Sequence, residues 1–447
     1  MYFTPRQLHD AIRLCSEGLS MSPVCYWVAF SGGMDSHVLL HAMSVCRENL
    51  NIDLRAVHVD HGLQSESQDW IKHCQTICHD LNIPLTVLKV DARAAKGESP
   101  EAAARDARYA AFAELIAKNE FLLTGQHGRD QAETLFLQLL RGAGPRGLSA
   151  MPQITELGKG YLCRPLLASS YESIKVYAAE QTLQWIEDPS NQQRDFDRNM
   201  LRHDVMPKLR DRWPSLDTTV SRVAAQQAET QQLLVELAEQ DSEGLLDANG
   251  SLAMLDVAEL SSARQRNVLR HWLSQQGLNL PSARQLEQLQ RDMFNAAADR
   301  NPCISWRGVE VRRYRDRLYA MSPLAEVDNS LRLDWHPGKT LVLPNYVGTL
   351  LSHSVTGRGI SLAGRSDNQM QLRFRHGGEN CQPQGKSHHT SLKKLFQKAG
   401  IPPWQRNRIP LLYVDNELAA VPGLCICEPF VATGKMSGFE LDWQPSK

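Results

Sequence analysis

An alternation governs the first half of this chain. Short apolar runs at Cys25–Phe30, Leu54–His61, Pro84–Val90, Phe121–Thr124 and Tyr161–Leu167 read as strands, and segments of helical period follow the first four. Those helices are expected from about Ser36, over Glu66–Leu81, over Ser99–Asn119 and over Arg129–Gly142. In the second, Trp70, Cys74, Ile77, Cys78 and Leu81 share one face; in the third, Ser99 is the N-cap and Pro100 takes the first helical position. Strands alternating with helices of this length imply a doubly wound parallel sheet, α/β in class, with helices on both faces. Such sheets bind ligands at the carboxyl ends of their strands. The turn Ser31–Ser36, the segment His58-Val59-Asp60-His61 and the segment Thr124-Gly125-Gln126-His127 all follow strands, so they should gather at one edge.

Beyond Trp213-Pro214 the alternation stops. Residues from about Leu216 to Ala298 are rich in Gln, Ala and Leu with helical periodicity, and from about Asn301 short strands with Gly and Pro turns take over. The expected organisation is a catalytic domain over 1–214, a mainly helical domain over 215–325, a linker or strand-containing connection over 326–364, and a small mixed α/β domain over 365–447. A length of 447 residues, 42% apolar and 22% charged, suits several globular cores. Apolar runs of roughly eighteen residues, as a membrane span needs, do not occur, and the N-terminus is polar and mixed in charge, unlike a signal peptide. Ten cysteines without a C-x-x-C read as reduced structural thiols in cytoplasm; Cys425 and Cys427 stand at alternate positions of a strand, and zinc or redox chemistry is weakly indicated. The net charge of −1 excludes a global basic field, but Val311–Tyr319 is basic with interleaved tyrosines, and Lys386–Arg408 holds six Lys or Arg and no acid.

The turn after the first strand is Ser31-Gly32-Gly33-Met34-Asp35-Ser36. Glycines let backbone amides approach an anion, and the following helix N-terminus adds partial positive charge. An ordinary tight corner would explain the two glycines alone; the two serines and the aspartate after a buried strand favour phosphate binding. Neither G-x-x-x-x-G-K-[ST] nor G-x-G-x-x-G is present. The pattern resembles the PP-loop of ATP pyrophosphatases, the adenine nucleotide alpha-hydrolase-like fold, whose members cleave ATP between the α- and β-phosphates. That resemblance implies that the loop amides, Ser31 and Ser36 hold pyrophosphate and that Asp35 organises Mg²⁺.

A second constellation follows the fourth strand. Asp130 and Glu133, three apart, share a helix face in its first turn. Capping of free amides is the plain reading of such a pair; beside a phosphate loop they become candidates for holding Mg²⁺ or receiving a proton from an amine. Together and in order, SGGMDS, HVDHGLQ, TGQHGRDQAET, RGAGPRGLSAM and EDPSNQQRDFDRNMLR resemble the tRNA(Ile)-lysidine synthases, and LKKLFQKAGIPPWQRNRIPLLY resembles the C-terminal tRNA-binding module of that family's long form. One departure stands out: family members commonly carry two adjacent acids before the Gln of DQAET, and here the first is Arg129.

The resemblance implies an ATP-dependent ligase. It would adenylate the wobble cytidine of the CAU anticodon of tRNA(Ile), join free L-lysine to carbon 2, and so change decoding from AUG to AUA. Asp35, Asp130 and Glu133 are then the catalytic candidates; Ser31 to Ser36, His58, Asp60, Arg141 and Gly142 the candidates for ATP; and Asn191, Arg198, Asn199 and Arg202 candidates for substrate. A plain C-cap explains Gly142 equally well. In the basic tail, Lys393, Lys394, Lys398 and Arg406 are candidates for tRNA phosphates, with Leu392, Leu395, Phe396 and Trp404 packing beneath. No membrane partner is expected, and a homodimer is left open. The rivals are a PP-loop tRNA thiolase, which would show paired cysteines in the N-terminal domain; a small-molecule amide synthetase, which has no use for a basic tail; and an RNA-binding protein with a dead nucleotide site, against which Asp35, Asp130 and Glu133 argue.

Overall fold

The computed structural model describes residues 2–19, 23–50, 52–60, 67–91, 93, 100–188, 194, 196–297, 300–363 and 370–446. The Ser99 cap, His61 and Asn191 lie outside the described residues. The chain forms two compact units, Met1–Leu237 and Ala238–Lys447. None of the described helices is long and apolar enough to cross a membrane.

In the first unit, α1 (Pro5–Gly18) leads to β1 (Cys25–Ala29), α2 (Met34–Leu50), β2 (Asp53–Asp60), α3 (Ser67–Asp80), β3 (Leu85–Lys89), α4 (Pro100–Leu115), β4 (Glu120–Leu123), α5 (Gly128–Leu140), α6 (Pro145–Leu148), β5 (Ile154–Leu157), β6 (Gly160–Cys163) and α7 (Tyr171–Glu180). Among the described residues these strands make one sheet in the order β3-β2-β1-β4-β6-β5. All pairings are parallel except β5 with β6. The period of two is visible in the core. Tyr26, Val28 and Phe30 enter one apolar cluster with α1, α2, α3 and α7, while Cys25 and Trp27 enter another with Phe112 of α4 and Ile116 just beyond it. Chain order reverses between β1 and β4, so the loops leaving these two strands diverge over a crevice at their carboxyl ends.

Two sequence expectations change. The fifth apolar run is a strand only over Gly160–Cys163; Arg164 leaves it, buried, to donate to the Pro152 carbonyl. The edge strand β5 was not foreseen, because Ile-Thr-Glu-Leu is short and half polar, as an exposed edge allows.

After α7 the chain forms α8 (Asp197–Met200), a π-helical turn (Leu201–Val205), α9 (Met206–Arg212) and α10 (Leu216–Ser242). Pro207 accounts for the wide turn: it has no N–H for the His203 carbonyl, and its ring needs that carbonyl moved aside. The Met206 N–H reaches back to Leu201 instead. Met206, Val220 and Ala224 pack on Ala132 and Leu135, which fixes this helical run against α5.

The second unit contains β7 (Leu252–Ala253), α11 (Met254–Ala258), α12 (Ser262–Gln275), α13 (Ala283–Phe294), β8 (Cys303–Trp306), β9 (Val309–Tyr314) and β10 (Arg317–Met321), sharing a core around Trp272. Residues 326–364 contribute β11 (Arg332–Asp334), β12 (Leu341–Leu343) and β13 (Gly348–Thr356). Then come β14 (Met370–Arg373), β15 (Asn380–Cys381), β16 (Thr390–Ser391), α14 (Leu392–Lys398), α15 (Pro403–Arg406), β17 (Leu411–Val414), β18 (Glu417–Val421), β19 (Cys425–Ile426) and β20 (Ser437–Gln444). Trp335, Val347 and Leu350 share a core with Leu412, Phe430 and Phe439, so these described residues of the expected connection are built into the same body as the C-terminal strands.

Candidate active site

At the end of β1 the chain turns through Gly32 with φ +85, a left-handed conformation that a side chain would strain. A Cβ there would also press on Cys74 Sγ at 3.3 Å. The turn closes on itself: the Ser31 N–H donates to Ser36 Oγ (3.2 Å), the Gly33 N–H to Ser31 Oγ (3.3 Å), and Ser36 Oγ to the Gly33 carbonyl (2.9 Å). Met34 and Asp35 begin α2, so the loop amides and the helix N-terminus face the same space.

The loop after β4 meets this one closely. A Cβ on Gly125 would lie 3.0 Å from the Asp35 backbone, so a side chain there would crowd the start of α2. Two residues on, His127 caps α5: its Nδ1 accepts the Arg129 N–H (3.2 Å), and the His127 N–H donates to Asp130 (3.1 Å). In the neutral ring the proton therefore sits on Nε2, which points between Asp35 Oδ2 (3.6 Å) and Asp130 Oδ2 (3.5 Å). Burial opposes charge on this imidazole, but Asp130 and Asp35 outweigh it, and the His127 pKa is raised. Asp35 Oδ1 is buried with no protein partner. A carboxylate oxygen so placed needs a cation or a donor from outside the chain, which fits Mg²⁺.

Asp130 and Glu133 lie on the same face of α5, and two arginines clamp them. Arg198 donates to Asp130 (3.0 Å) and Glu133 (3.1 Å); Arg202 donates to both Glu133 oxygens (2.8 and 2.7 Å) and to Asp130 (3.0 Å). The spacing i, i+4 across the π-helical turn puts both guanidinium groups on one side. Glu133 is 1% exposed, and a carboxylate so buried is satisfied only through partners such as these two guanidinium groups. For Asp130, burial would raise the pKa, but His127, Arg198 and Arg202 prevail and it is lowered. The Arg202 pKa, which burial alone would lower, is raised by its bonds to Glu133.

A cavity of about 1290 Å³ joins these groups. Ser31, Gly33, Met34, Asp35 and Ser36, His58 and Asp60, Asp130 and Glu133, and Arg198, Asn199 and Arg202 all line it. The His58 ring is fixed by its Nδ1 contact with the Phe30 carbonyl (2.9 Å). Gly32, set against Cys74, His73 and Ile186, is not among the lining residues. Arg141 and Gly142 are not brought to this cavity: they cap the far end of α5, roughly 18 Å along the axis from Arg129. Gly142, φ +70, is explained there by the helix end.

His127 and Tyr171 were not singled out from the sequence. Both line the cavity, with rings 5.3 Å apart. A histidine directly before the helix that carries two acids was the available signal. Arg129, the departure from the family pattern, turns away from Asp130 to pair with Glu172 and lie over the Tyr171 ring at 4.1 Å, with Asp217 at 3.9 Å. Its charge therefore has acids of its own beside the site.

In the second unit, Lys393, Lys394 and Lys398 are exposed on α14, whose Leu392 and Phe396 are buried. Arg406 corrects the sequence reading. It is 7% exposed and donates to the Ile401 carbonyl (2.8 Å) and the Tyr314 hydroxyl (3.0 Å), so it braces the interior. Trp404 does not pack beneath α14 but meets Tyr314, Tyr319 and Arg312. In the basic stretch 311–319, Arg313 is likewise buried, donating to the Met293 and Ala296 carbonyls.

Residues 9–209 match the PP-loop domain family, 252–319 the TilS substrate binding domain, and 370–443 the TilS substrate C-terminal domain. The tRNA(Ile)-lysidine synthase of Coxiella burnetii is 44% identical over 446 residues, covering 100% of this chain and 98% of the relative. That of Methylococcus capsulatus is 40% identical, covering 94% of this chain and 96% of the relative. With identity of this level along the whole length, and with a phosphate loop and clamped carboxylates facing one cavity, the chain belongs to the tRNA(Ile)-lysidine synthase family.

Proposed function

We propose that this chain is an ATP-dependent ligase that joins free L-lysine to carbon 2 of the wobble cytidine in the CAU anticodon of tRNA(Ile), so that the anticodon reads AUA instead of AUG. What supports this most is the meeting of two constellations in one cavity: an anion-cradling loop with Asp35, and the Asp130–Glu133 pair held by Arg198 and Arg202.

Carbon 2 of cytosine carries an amide-like oxygen, a poor leaving group. Attack of that oxygen on the α-phosphorus of ATP places AMP on it and expels pyrophosphate. The loop amides of Ser31 and Gly33 now donate to serine hydroxyls, and phosphate oxygens would replace those acceptors without moving the backbone. His58 and Asp60, on the neighbouring strand, are the candidates for the adenosine end. Mg²⁺, when bound at Asp35, would offset the charge of the phosphates. The lysine ε-amine then attacks carbon 2, the bond to the adenylated oxygen breaks, and AMP departs.

Free lysine amine has a pKa of ~10.4, so it arrives protonated and needs both an anchor and an acceptor. Asp130, held ionised, suits the anchor. Nitrogen becomes strongly acidic once bonded to carbon 2, so even a carboxylate of low pKa takes its proton; Asp130 and Glu133 are the candidates. Arg198, Arg202 and Asn199 remain candidates for the nucleotide or substrate. The base must leave its stack to reach the cavity, which costs least in a single-stranded anticodon loop. The exposed lysines of α14 would contact tRNA phosphates. A cytoplasmic setting completes the reading: all ten cysteines are unpaired, as where thiols stay reduced.

The test is incubation with ATP, labelled lysine and total tRNA. Label should enter isoleucine tRNA only with ATP, and Asp35→Ala should abolish it. ATP turnover or sulfur transfer without labelled tRNA would overturn the assignment.

A further inference from the structure

Three cysteines distant in sequence converge in the second unit. Cys381 ends β15, Cys425 opens β19, and Cys427 follows one residue beyond β19. Their sulfurs all lie within 4.8 Å of one another, and Cys381 Sγ is 3.8 Å from Cys425 Sγ. That is too far for a disulfide, whose sulfurs stand about 2.05 Å apart. It matches the edge of a tetrahedron with metal–sulfur bonds of about 2.3 Å, which is about 3.8 Å.

The backbone holds this convergence in place. Cys425 and Cys427 are two apart on an extended segment, so their side chains share a face. The Cys427 N–H continues the pairing with β18 by donating to Ala419 (2.8 Å). On the other side, the Gln384 N–H donates to Ile426 (2.9 Å) and the Glu428 N–H to Gln382 (2.8 Å), tying the segment after Cys381 to the one that carries Cys427. Cys381 is paired with Thr390, next to the exposed His389. Burial alone would be met by any small apolar side chain. Cys15 and Cys163 show the contrast: they approach to 3.0 Å in the first unit, yet no third metal-ligating side chain joins them among the described residues.

We propose that Cys381, Cys425 and Cys427 bind one soft divalent cation of the zinc type, with His389 or water as the fourth ligand. Binding releases the thiol protons to solvent and involves no change of oxidation state. The ion would pin the β15–β16 hairpin, from which α14 starts directly, to β19.

The test uses the full chain, reduced and stripped of metal. Titration with Co²⁺ should give an intense sulfur-to-metal charge-transfer band saturating at about one ion per chain, which Zn²⁺ then bleaches by displacement. Cys381→Ser and Cys427→Ser should lose the band, while Cys78→Ser, altered in the other unit, should keep it. Alkylation of wild-type protein followed by peptide mapping gives a readout without any variant: Zn²⁺ should protect these three thiols and leave exposed Cys303 reactive. Absence of the band with thiols reduced, or Zn²⁺ protection elsewhere but not at these three, would overturn the proposal.

Discussion

Arg198 and Arg202 beside the carboxylate pair, and Lys393 and Lys394 on α14, carry the same charge in opposite surroundings. Each arginine reaches both Asp130 and Glu133, and all four groups are largely withdrawn from solvent. The lysines stand exposed on a helix whose other face is core. A guanidinium presents several donors in a plane and is weakly hydrated, so it can bridge two acids or several carbonyls inside a protein; an ammonium is held in water by its hydration. The basic stretches divide along the same line. Arg313, Arg406 and Arg408 spend their donors on backbone carbonyls or a tyrosine, whereas the lysines of α14 remain outside. Charge counted along a sequence is therefore not charge available to a partner.

The comparison breaks first at Glu133. Glu133→Ala leaves two arginines facing Asp130 alone, and a loss of about 2–3 kcal/mol in unfolding free energy is expected, below the ~3–5 of a fully buried pair because Arg202 keeps access to water. Lysidine formation should vanish with it, and denaturant unfolding beside the labelling assay checks both. If stability is unchanged, the clamp is not a structural unit.

Next in size is a contrast within the tail itself. Arg406→Ala should destabilise the second unit by about 2 kcal/mol, since the Tyr314 hydroxyl and Ile401 carbonyl lose their donor. Replacing Lys393 and Lys394 by Ala should instead leave stability within about 0.5 kcal/mol and flatten the salt dependence of tRNA binding, lowering its slope by about 1.5. Calorimetry and tRNA titrations at several salt concentrations separate the two. An unchanged salt slope in the double variant would remove α14 from the tRNA contacts.

The smallest effect is the pH dependence of His127. Its pKa is raised in the folded chain, so its pairing with Asp130 and Asp35 stabilises fully below the unfolded value of about 6.5 and is lost as pH rises through the folded value. His127→Asn, which keeps a good cap, should lower the melting temperature more at pH 6 than at pH 9. Equal losses at both would mean that the imidazole acts only as a cap.

Much of the site was legible because it follows strands. Ser31 to Ser36, His58, Asp60, Asp130 and Glu133 could be assigned to one edge once the alternation implied a parallel sheet, and all of them but Gly32 line the cavity. Arg198 and Arg202 were legible as polar residues that follow the sheet and as part of a family pattern, but their shared contact with α5 came only with the tertiary structure. Arg141 and Gly142 were named from their place in the family pattern, and α5 carries them to its far end, away from the cavity.

The order of strands and helices, the phosphate loop and the carboxylate spacing are local or periodic properties, and the amino-acid sequence by itself determined them. Which arginines are braces, which thiols converge, and that His127 stands between two acids were decided only by tertiary structure. Those facts depend on contacts between segments several tens of residues apart, and on burial, which determines whether a charged or soft side chain meets water or a partner.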